Sequence, residues 1–413
     1  MDRLQSLSSA LSAAKLPVRS SLPATSAVRS GLCSDLHHGS VVPPIHLSSN
    51  FTFAGFGQAR TYDYTRSGNP TRDLLASALA EAEGGAGAVV TSTGMSAIHL
   101  VLQLLQPGEL VVAPFDCYGG TWRLLDACAA KGAFRVLFAD LSDLVERSAA
   151  LAAGPRLVWV ETPSNPLLRI TDLRAVCREA ARVGALVAAD NTFLSPALQR
   201  PLELGADLAV HSTTKYLNGH SDVVGGAVVA RDPQLLADVA WWANCLGITG
   251  SPFDSYLTLR GLRTLHARMR VHLENAAAVV DRLKTHPAVS RVYWPGLTEH
   301  PGHTVAAAQQ DGFGAMVSFE LEGGEAAVRA FVDGLRCFSL AESLGGVESL
   351  VAHPATMTHA SMDPEARRRA GIGDGLLRLS VGIEAAEDLV ADVAAGLNRA
   401  LVAMETAAEA IGT

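Results

Sequence analysis

The sequence contains no apolar run of the roughly 18 residues that a membrane-spanning helix needs. It also lacks a basic cluster, and its 41 acidic residues outnumber its 33 basic ones. This balance disfavours nucleic acid or an anionic membrane as the main partner. Charged residues make up 18% and apolar residues 48% of the 413 positions, which predicts a large buried core rather than a disordered chain.

Cysteine is sparse, and no two cysteines form a C-x-x-C pair. Six scattered cysteines in a chain of this length favour a reducing cytoplasm over a disulfide scaffold. The neighbouring histidines, His37 with His38 and His300 with His303, do not have the helical spacing of a zinc site. Glycine-rich dinucleotide and P-loop motifs are missing as well. We therefore expect a soluble cytoplasmic protein without a metal site.

Lysine is the scarcest charged residue, with four copies against 29 arginines. Arginine replaces lysine in most surface roles, but it stays protonated and cannot form a Schiff base. Each remaining lysine is therefore a candidate for amine chemistry. Lys15, Lys131 and Lys284 are expected in the N-terminal tail or on the surface. Lys215 instead follows a predicted strand, where burial would lower its pKa and free the amine as a nucleophile.

Short apolar strands alternate with helical segments from about residue 88 to residue 230. This alternation indicates a mostly parallel sheet of seven strands with both faces covered. A long helical stretch over 255–284 follows, and sparser strands after it indicate a smaller α/β unit. The predicted strands are 88–91, 110–113, 135–138, 157–160, 185–189, 208–210, 227–230, 289–293, 315–321 and 377–381.

Four regions are predicted along the chain. Residues 1–25 form a disordered extension, although their Ser, Ala and Leu content also resembles an organelle presequence. Residues 26–75 form an N-terminal arm, residues 76–265 a large domain, and residues 266–413 a C-terminal α/β domain.

Three features are predicted at the carboxyl ends of the parallel strands, where open α/β sheets bind ligands. Gly94 and Met95 begin a helix whose N–H groups can approach an anion. Asp190 ends an apolar strand, where it could balance a cationic ligand group or simply cap a helix. Three hydroxyl residues precede Lys215 and suit a bound phosphate. Together these features suit pyridoxal 5′-phosphate (PLP), with the lysine on its aldehyde and the carboxylate on its ring nitrogen.

Six stretches extend this pattern: Asp63–Thr71, Asp116–Thr121, Glu161–Pro166, Asp190–Thr192, Ser212–Asp222 and Ala341–Ser349. In combination they resemble the Cys/Met-metabolism family of PLP-dependent enzymes, from about residue 26 to the C-terminus. The resemblance implies the α/β fold type I of PLP-dependent transferases, which is aspartate aminotransferase-like. It also implies a homotetramer made of two dimers, in which the arm contributes to the neighbouring subunit.

The resemblance assigns the cofactor contacts. Lys215 is implied to be the Schiff-base lysine and proton carrier, Asp190 the partner of the pyridine nitrogen, and Tyr118 the tyrosine stacked on the ring. Asn165 is implied to lie near the 3-oxygen of the cofactor. The phosphate is implied to meet a cradle on its own chain and a pair of residues from the neighbouring subunit: Gly94, Met95, Ser212 and Thr214 for the cradle, and Tyr64 and Arg66 for the pair.

The resemblance also assigns the substrate contacts. Arg378 is implied to clamp the substrate α-carboxylate, since a guanidinium fork matches a carboxylate. Ser343 is implied to assist it, and Glu342 and Arg123 are implied to lie at the substrate entrance.

The implied reaction is γ-replacement on an O-acylated homoserine, with O-succinyl-L-homoserine as the expected ester. L-cysteine would displace succinate and give L-cystathionine, a step of methionine biosynthesis by trans-sulfuration. Two alternatives within the family remain open: elimination from cystathionine or methionine, and addition of sulfide to O-acetylhomoserine.

Overall fold

The structure, a computed structural model, describes residues 22–360, Glu365, Arg367 and residues 370–411. Residues 1–21 of the predicted extension lie outside this description. The described part begins with helix α1 (Pro23–Arg29), so residues 23–25 of that extension are helical. None of the described helices is long and apolar enough to cross a membrane.

The first sheet has seven strands and confirms the predicted, mostly parallel sheet. Its spatial order is β1-β7-β6-β5-β4-β2-β3. The five strands from β6 to β3 run parallel, and β7 is antiparallel to both of its neighbours. In chain order the strands are β1 (Gly87–Thr91), β2 (Leu110–Pro114), β3 (Arg135–Ala139), β4 (Leu157–Glu161), β5 (Leu186–Asp190), β6 (Leu208–His211) and β7 (Gly226–Ala230).

Both faces of this sheet are buried, because successive strand side chains point to opposite sides. Along β2, Val111 joins one apolar core while Val112 joins another. The parallel strands β2, β4 and β6 are buried over their whole length, as expected under two helical layers. The helices of this part are α2 (Pro70–Glu83), α3 (Gly94–Leu102), α4 (Gly119–Ala130), α5 (Leu144–Ala152), α6 (Leu173–Arg182), α7 (Ser195–Leu198), α8 (Pro233–Leu246) and α9 (Pro252–Leu262).

A second sheet of five strands has the order β10-β11-β12-β9-β8, and only the β10 and β11 pair is parallel. An apolar core of its own lies between this sheet and the helices around it. The elements are α10 (Leu265–Lys284), β8 (Val289–Tyr293), α11 (His303–Gln309), β9 (Met316–Leu321), α12 (Gly324–Val332), β10 (Ser339–Leu340), β11 (Leu350–Ala352), β12 (Leu376–Ser380) and α13 (Ala386–Ile411).

The single helical stretch predicted over 255–284 is wrong, since α9 and α10 are separate helices. The backbone carbonyl of Gly261 accepts hydrogen bonds from the Thr264 N–H at 3.0 Å and from Arg268 Nη2 at 3.0 Å. Arg268 Nη2 also donates to the Tyr216 carbonyl at 2.7 Å. These bonds satisfy the end of α9, and they tie the break to the loop that carries Lys215.

Candidate active site

A cavity of about 580 Å³ lies beyond the carboxyl ends of β4, β5 and β6. Loops that precede β11 and the strand β12 close its other side. The fold thus brings together most of the site residues predicted from the sequence. Those that line the cavity are Gly94, Met95, Tyr118, Asn165, Asp190, Ser212, Thr214, Lys215, Glu342, Ser343 and Arg378.

Lys215 lies in the loop between β6 and β7, and its Nζ donates a hydrogen bond to Ser343 Oγ at 2.7 Å. Burial lowers the pKa of Lys215 to about 8, and the positive charge of Arg378 acts in the same direction, while Glu342 opposes it. Ser343 has a left-handed backbone with φ of 90°, which a residue with a side chain rarely adopts. The amine of Lys215 is therefore fixed in position by Ser343, and its pKa lies below the ordinary lysine value.

Two carboxyl groups meet at the end of the parallel strands. Glu161 ends β4 and Asp190 ends β5, and the two residues are direct partners in the strand register. Burial raises the pKa of both groups, and the charge of Asp190 raises that of Glu161 further. Hydrogen bonds from Thr192 oppose the rise at Asp190, whose Oδ1 accepts the Thr192 N–H at 3.0 Å. A cation placed at Asp190 would favour its charged form.

Helix α3 points its first turn at the cavity. Thr93 caps it by accepting the Ser96 N–H at 2.9 Å, and the first N–H groups of a helix have no intrahelical acceptor. A Cβ atom on Gly94 would lie 2.7 Å from Ser212 Cβ, so only glycine lets the helix start approach the end of β6 this closely. Ser212 and Thr214 line the cavity beside this helix end, an arrangement that suits an anion.

The side of the cavity formed by β12 centres on Arg378, which is 3% exposed. Its Nη1 donates to Asn165 Oδ1 at 2.8 Å, and its Nη2 donates to the Ser343 carbonyl at 2.9 Å. Its Nε is buried and has no partner among the described residues. Burial lowers the pKa of Arg378 to about 10, which leaves it charged at neutral pH. The unsatisfied Nε marks a place for an anionic ligand group.

Three predicted site residues do not line the cavity: Tyr64, Arg66 and Arg123. Tyr64 is 50% exposed, and the guanidinium carbon of Arg66 lies 5.5 Å from its ring centroid. Arg66 Nε donates to Asn244 Oδ1 at 3.1 Å. Arg123 is exposed on α4. Within one chain the cavity therefore has the lysine, the acid and the helix end, but not this arginine and tyrosine pair.

Sequence reasoning assigned no role to several residues of this site. Glu161 accepts the Tyr118 N–H at 2.8 Å through its Oε2, and Thr192 Oγ1 accepts the Ser212 N–H at 2.9 Å. Both residues hold the backbone of predicted cofactor contacts. The signal for Glu161 was available, because it ends an apolar strand just as Asp190 does. The contact of Thr192 with Ser212 joins residues 20 positions apart, so only the fold reveals it.

The family described as Cys/Met metabolism PLP-dependent enzyme matches residues 24–398. The chain belongs to this family. The residues present fit its cofactor: an amine of depressed pKa, a buried carboxylate and a helix end with hydroxyl groups surround one cavity. The family also accounts for the α/β architecture, which is that of fold type I PLP-dependent enzymes.

Relatives with known names match nearly the whole chain. Cystathionine γ-synthase of Escherichia coli (strain K12) is 61% identical over 378 residues, which is 91% of this chain and 98% of that protein. A crystal structure of cystathionine γ-synthase from Xanthomonas oryzae pv. oryzae, in complex with aminoacrylate and cysteine, is 67% identical with a TM-score of 0.92. That match covers 93% of this chain and 99% of the other. Cystathionine β-lyase of Lactococcus lactis subsp. cremoris (strain MG1363) is 45% identical, over 91% of this chain and 98% of the lyase.

Proposed function

We propose that this PLP-dependent enzyme catalyses γ-replacement on O-succinyl-L-homoserine by L-cysteine. The reaction breaks the γ C–O bond of the ester and forms a C–S bond to the cysteine sulfur. Succinate leaves with the electron pair of the broken bond, the thiol proton is released, and the product is L-cystathionine. The observation that carries the proposal is the high identity to cystathionine γ-synthases over nearly the full length of both chains.

The residues of the cavity supply the parts that this chemistry needs. Arg378 binds the substrate α-carboxylate, to which its unpartnered Nε is free to donate. PLP, when bound, withdraws electrons from the substrate carbons so that their protons can be removed. Lys215 holds the cofactor and then carries protons, because an amine with a pKa of about 8 can both accept and return a proton near neutral pH.

Other residues keep the cofactor in its working state. Asp190 would keep the ring nitrogen of the cofactor protonated, because its buried carboxylate stabilises the positive charge of that nitrogen. Tyr118 would stack on the cofactor ring, and the bond from its N–H to Glu161 fixes the start of α4. Asn165, which accepts a hydrogen bond from Arg378, would also contact the 3-oxygen of the cofactor. The phosphate would be bound by Gly94, Met95, Ser212 and Thr214. Ser343 assists Arg378 and Lys215, and Glu342 and Arg123 receive the substrate at the entrance.

Assays of the products separate this proposal from the lyase and sulfhydrylase alternatives. The purified holoenzyme is given O-succinyl- or O-acetylhomoserine, with L-cysteine, with sulfide or alone. Cystathionine as the main product from the succinyl ester and cysteine supports the proposal. Faster release of 2-oxobutyrate and ammonia while cysteine is present would assign a lyase, and preferred use of sulfide would assign a sulfhydrylase.

We further propose that the active enzyme is a cytoplasmic homotetramer built from two dimers. Residues 26–75 form an arm that places Tyr64 and Arg66 at the phosphate of the neighbouring subunit. This arrangement explains why both side chains are exposed on their own chain and absent from its cavity. Residues 76–265 form the cofactor-binding domain, and residues 266–413 form the C-terminal domain that supplies Arg378.

A further inference from the structure

A fully buried carboxylate lies outside the cavity, beside the ends of β5 and β6. Glu83 is the last residue of α2 and is 0% exposed. Its Oε1 lies 2.6 Å from His211 Nε2 and accepts a hydrogen bond from Asn191 Nδ2 at 2.8 Å. His211 and Asn191 are equally inaccessible, at 0% and 1% exposure. One oxygen atom thus joins two buried side chains, one from the last residue of β6 and one from the residue after β5.

The two partners of Glu83 adjoin the predicted cofactor contacts along the chain. Asn191 follows Asp190 at the end of β5, and His211 precedes Ser212 at the end of β6. The Asn191 N–H also donates to the Val210 carbonyl at 2.9 Å, so these strand ends are already neighbours. Through Asn191 and His211, Glu83 therefore fixes the backbone at Asp190 and Ser212, on the side away from the cavity.

The same network reaches the third strand end. Asn191 Nδ2 donates to the Gln199 carbonyl at 2.7 Å, and Gln199 Nε2 donates to the Thr162 carbonyl at 3.1 Å. Thr162 follows Glu161, the residue that holds the Tyr118 N–H. The ends of β4, β5 and β6 are thereby linked by buried polar side chains, each of which needs the others for its hydrogen bonds.

Burying a carboxylate is costly, and it is tolerated only when the group is paired. An apolar side chain at position 83 would have filled the same space at lower cost. Glu83 Oε2 and His211 Nδ1 have no hydrogen-bond partner among the described residues. The hydrogen bonds of this pair instead fix the positions of the strand ends that carry the predicted cofactor contacts.

We propose that Glu83 is a positioning residue for the PLP site, acting through Asn191 and His211 on Asp190 and Ser212. This inference rests on the proposed cofactor roles of those two residues and not on which homoserine ester or thiol is used. The hydrogen bonds accepted by Glu83, rather than the volume of its side chain, keep Asp190 and Ser212 in position.

The test compares Glu83→Ala, Glu83→Gln and a matched control, Glu179→Ala. Glu179 pairs with the mostly buried Arg147 at 3.0 Å between α5 and α6, and it does not line the cavity. Apoenzymes are titrated with PLP to obtain dissociation constants, the visible circular dichroism of the bound cofactor is recorded, and urea unfolding of each apoenzyme gives its stability.

Glu83→Ala is expected to weaken PLP binding by about tenfold or more and to alter the visible circular dichroism, since two buried donors lose their acceptor. Glu83→Gln, which keeps an acceptor oxygen, is expected to recover most of the affinity. Glu179→Ala is expected to lose stability but to bind PLP as wild type does. Should Glu83→Ala fail to fold, Asn191→Ala replaces it, because it removes the Asn191 side-chain bonds to Glu83 and Gln199 and leaves Glu83 paired with His211.

Wild-type PLP affinity and circular dichroism in Glu83→Ala, or in Asn191→Ala where it is the variant used, would overturn the proposal. So would an equal loss of affinity in Glu179→Ala, or a Glu83→Gln variant as impaired as Glu83→Ala. A failure of the proposed reaction is distinguishable, because it changes the products of the wild-type enzyme and leaves these PLP dissociation constants as they are.

Discussion

Lys215 and Ser343 are separated by 128 positions, yet Lys215 Nζ lies 2.7 Å from the serine hydroxyl. The lysine is also taken out of water, which destabilises its charged form and depresses its pKa. Scarcity of lysine in the sequence pointed to this residue, and its surroundings now give the physical reason why it can act as a nucleophile near neutral pH.

Acylation of the apoenzyme at different pH values tests this property. Because its folded-state pKa is lowered to about 8, the Lys215 amine is protonated and inert below that pH and reactive above it. Mass spectrometry should place the labelling midpoint of Lys215 near pH 8, with the exposed Lys131 followed in the same spectra as a reference for the reagent. Glu342→Gln should move the midpoint downward, because the charge of Glu342 raises this pKa. A midpoint at the ordinary lysine value of about 10.4 would contradict the assignment.

Asp190→Asn should bind PLP but turn over on the order of 10²- to 10³-fold more slowly, the range seen when one preorganised partner is removed. The amide has no charge with which to hold the proton on the ring nitrogen. Steady-state rates measure the loss, and spectral titration with PLP checks that the cofactor still binds.

A control for this prediction is Asp207→Asn. Asp207 directly precedes the start of β6 in the large sheet, where its carboxylate accepts the Val187 N–H at 2.8 Å, but it does not line the cavity. Its variant should keep near wild-type turnover. An Asp190→Asn enzyme with normal turnover would reduce Asp190 to a structural residue.

At the scale of elements, the start of α3 and the end of β6 must touch for the proposed phosphate cradle to form. Gly94→Ala adds a methyl group 2.7 Å from Ser212 Cβ and should force the two elements apart. Overpacking of this kind costs about 1–3 kcal/mol, which corresponds to roughly fivefold to 150-fold in affinity if it is expressed in cofactor binding. The dissociation constant of PLP measured on the apoenzyme checks this expectation.

Gly373→Ala is the control for the helix-start prediction. Its added methyl group would meet only the Glu320 carboxylate, at 3.1 Å, and that flexible side chain can move. It should leave PLP binding unchanged. If Gly94→Ala binds PLP as tightly as the control, the close approach of α3 and β6 is not part of the phosphate site.

At the scale of the whole molecule, a shared active site predicts complementation between two inactive variants. Arg66→Ala and Lys215→Ala are each expected to lose nearly all activity. A mixed dimer contains one site with both defects and one site with Lys215 from one chain and Arg66 from the other. Mixing and reassembling the two variants should therefore restore part of the cystathionine-forming activity.

Subunit exchange must be shown independently, for example by native mass spectrometry of differently tagged chains. If both variants are folded and exchange subunits without any recovery of activity, the shared-site proposal is wrong. Arg66 would then act within its own chain, where it contacts Asn244. Measurement of the oligomer mass in the same experiment tests the proposed tetramer, which is consistent with the common D₂ assembly of homo-oligomers.

Local patterns determined the large sheet, because buried parallel strands are continuous apolar runs and the helices between them are long enough to show their period. The motif around Lys215 and the strand end at Asp190 were likewise readable from consecutive residues. The strands β10 and β11, with two and three residues, were missed because they are too short to show a period. The break between α9 and α10 was missed because Arg268 decides it through long-range contacts with the loop around Tyr216.

Only the tertiary structure decided which residues far apart in the sequence contact one another. Arg378 meets Asn165 across 213 positions, and Glu83 meets His211 across 128, both through side-chain contacts that no local pattern encodes. The depressed pKa of Lys215 likewise depends on burial and on the charge of Arg378, which comes from the second sheet. The sequence by itself determined the chemical groups and the strand ends that carry them. Their distances, their exclusion from water and the support behind them follow from packing, because desolvation and long-range hydrogen bonds exist only in the folded chain.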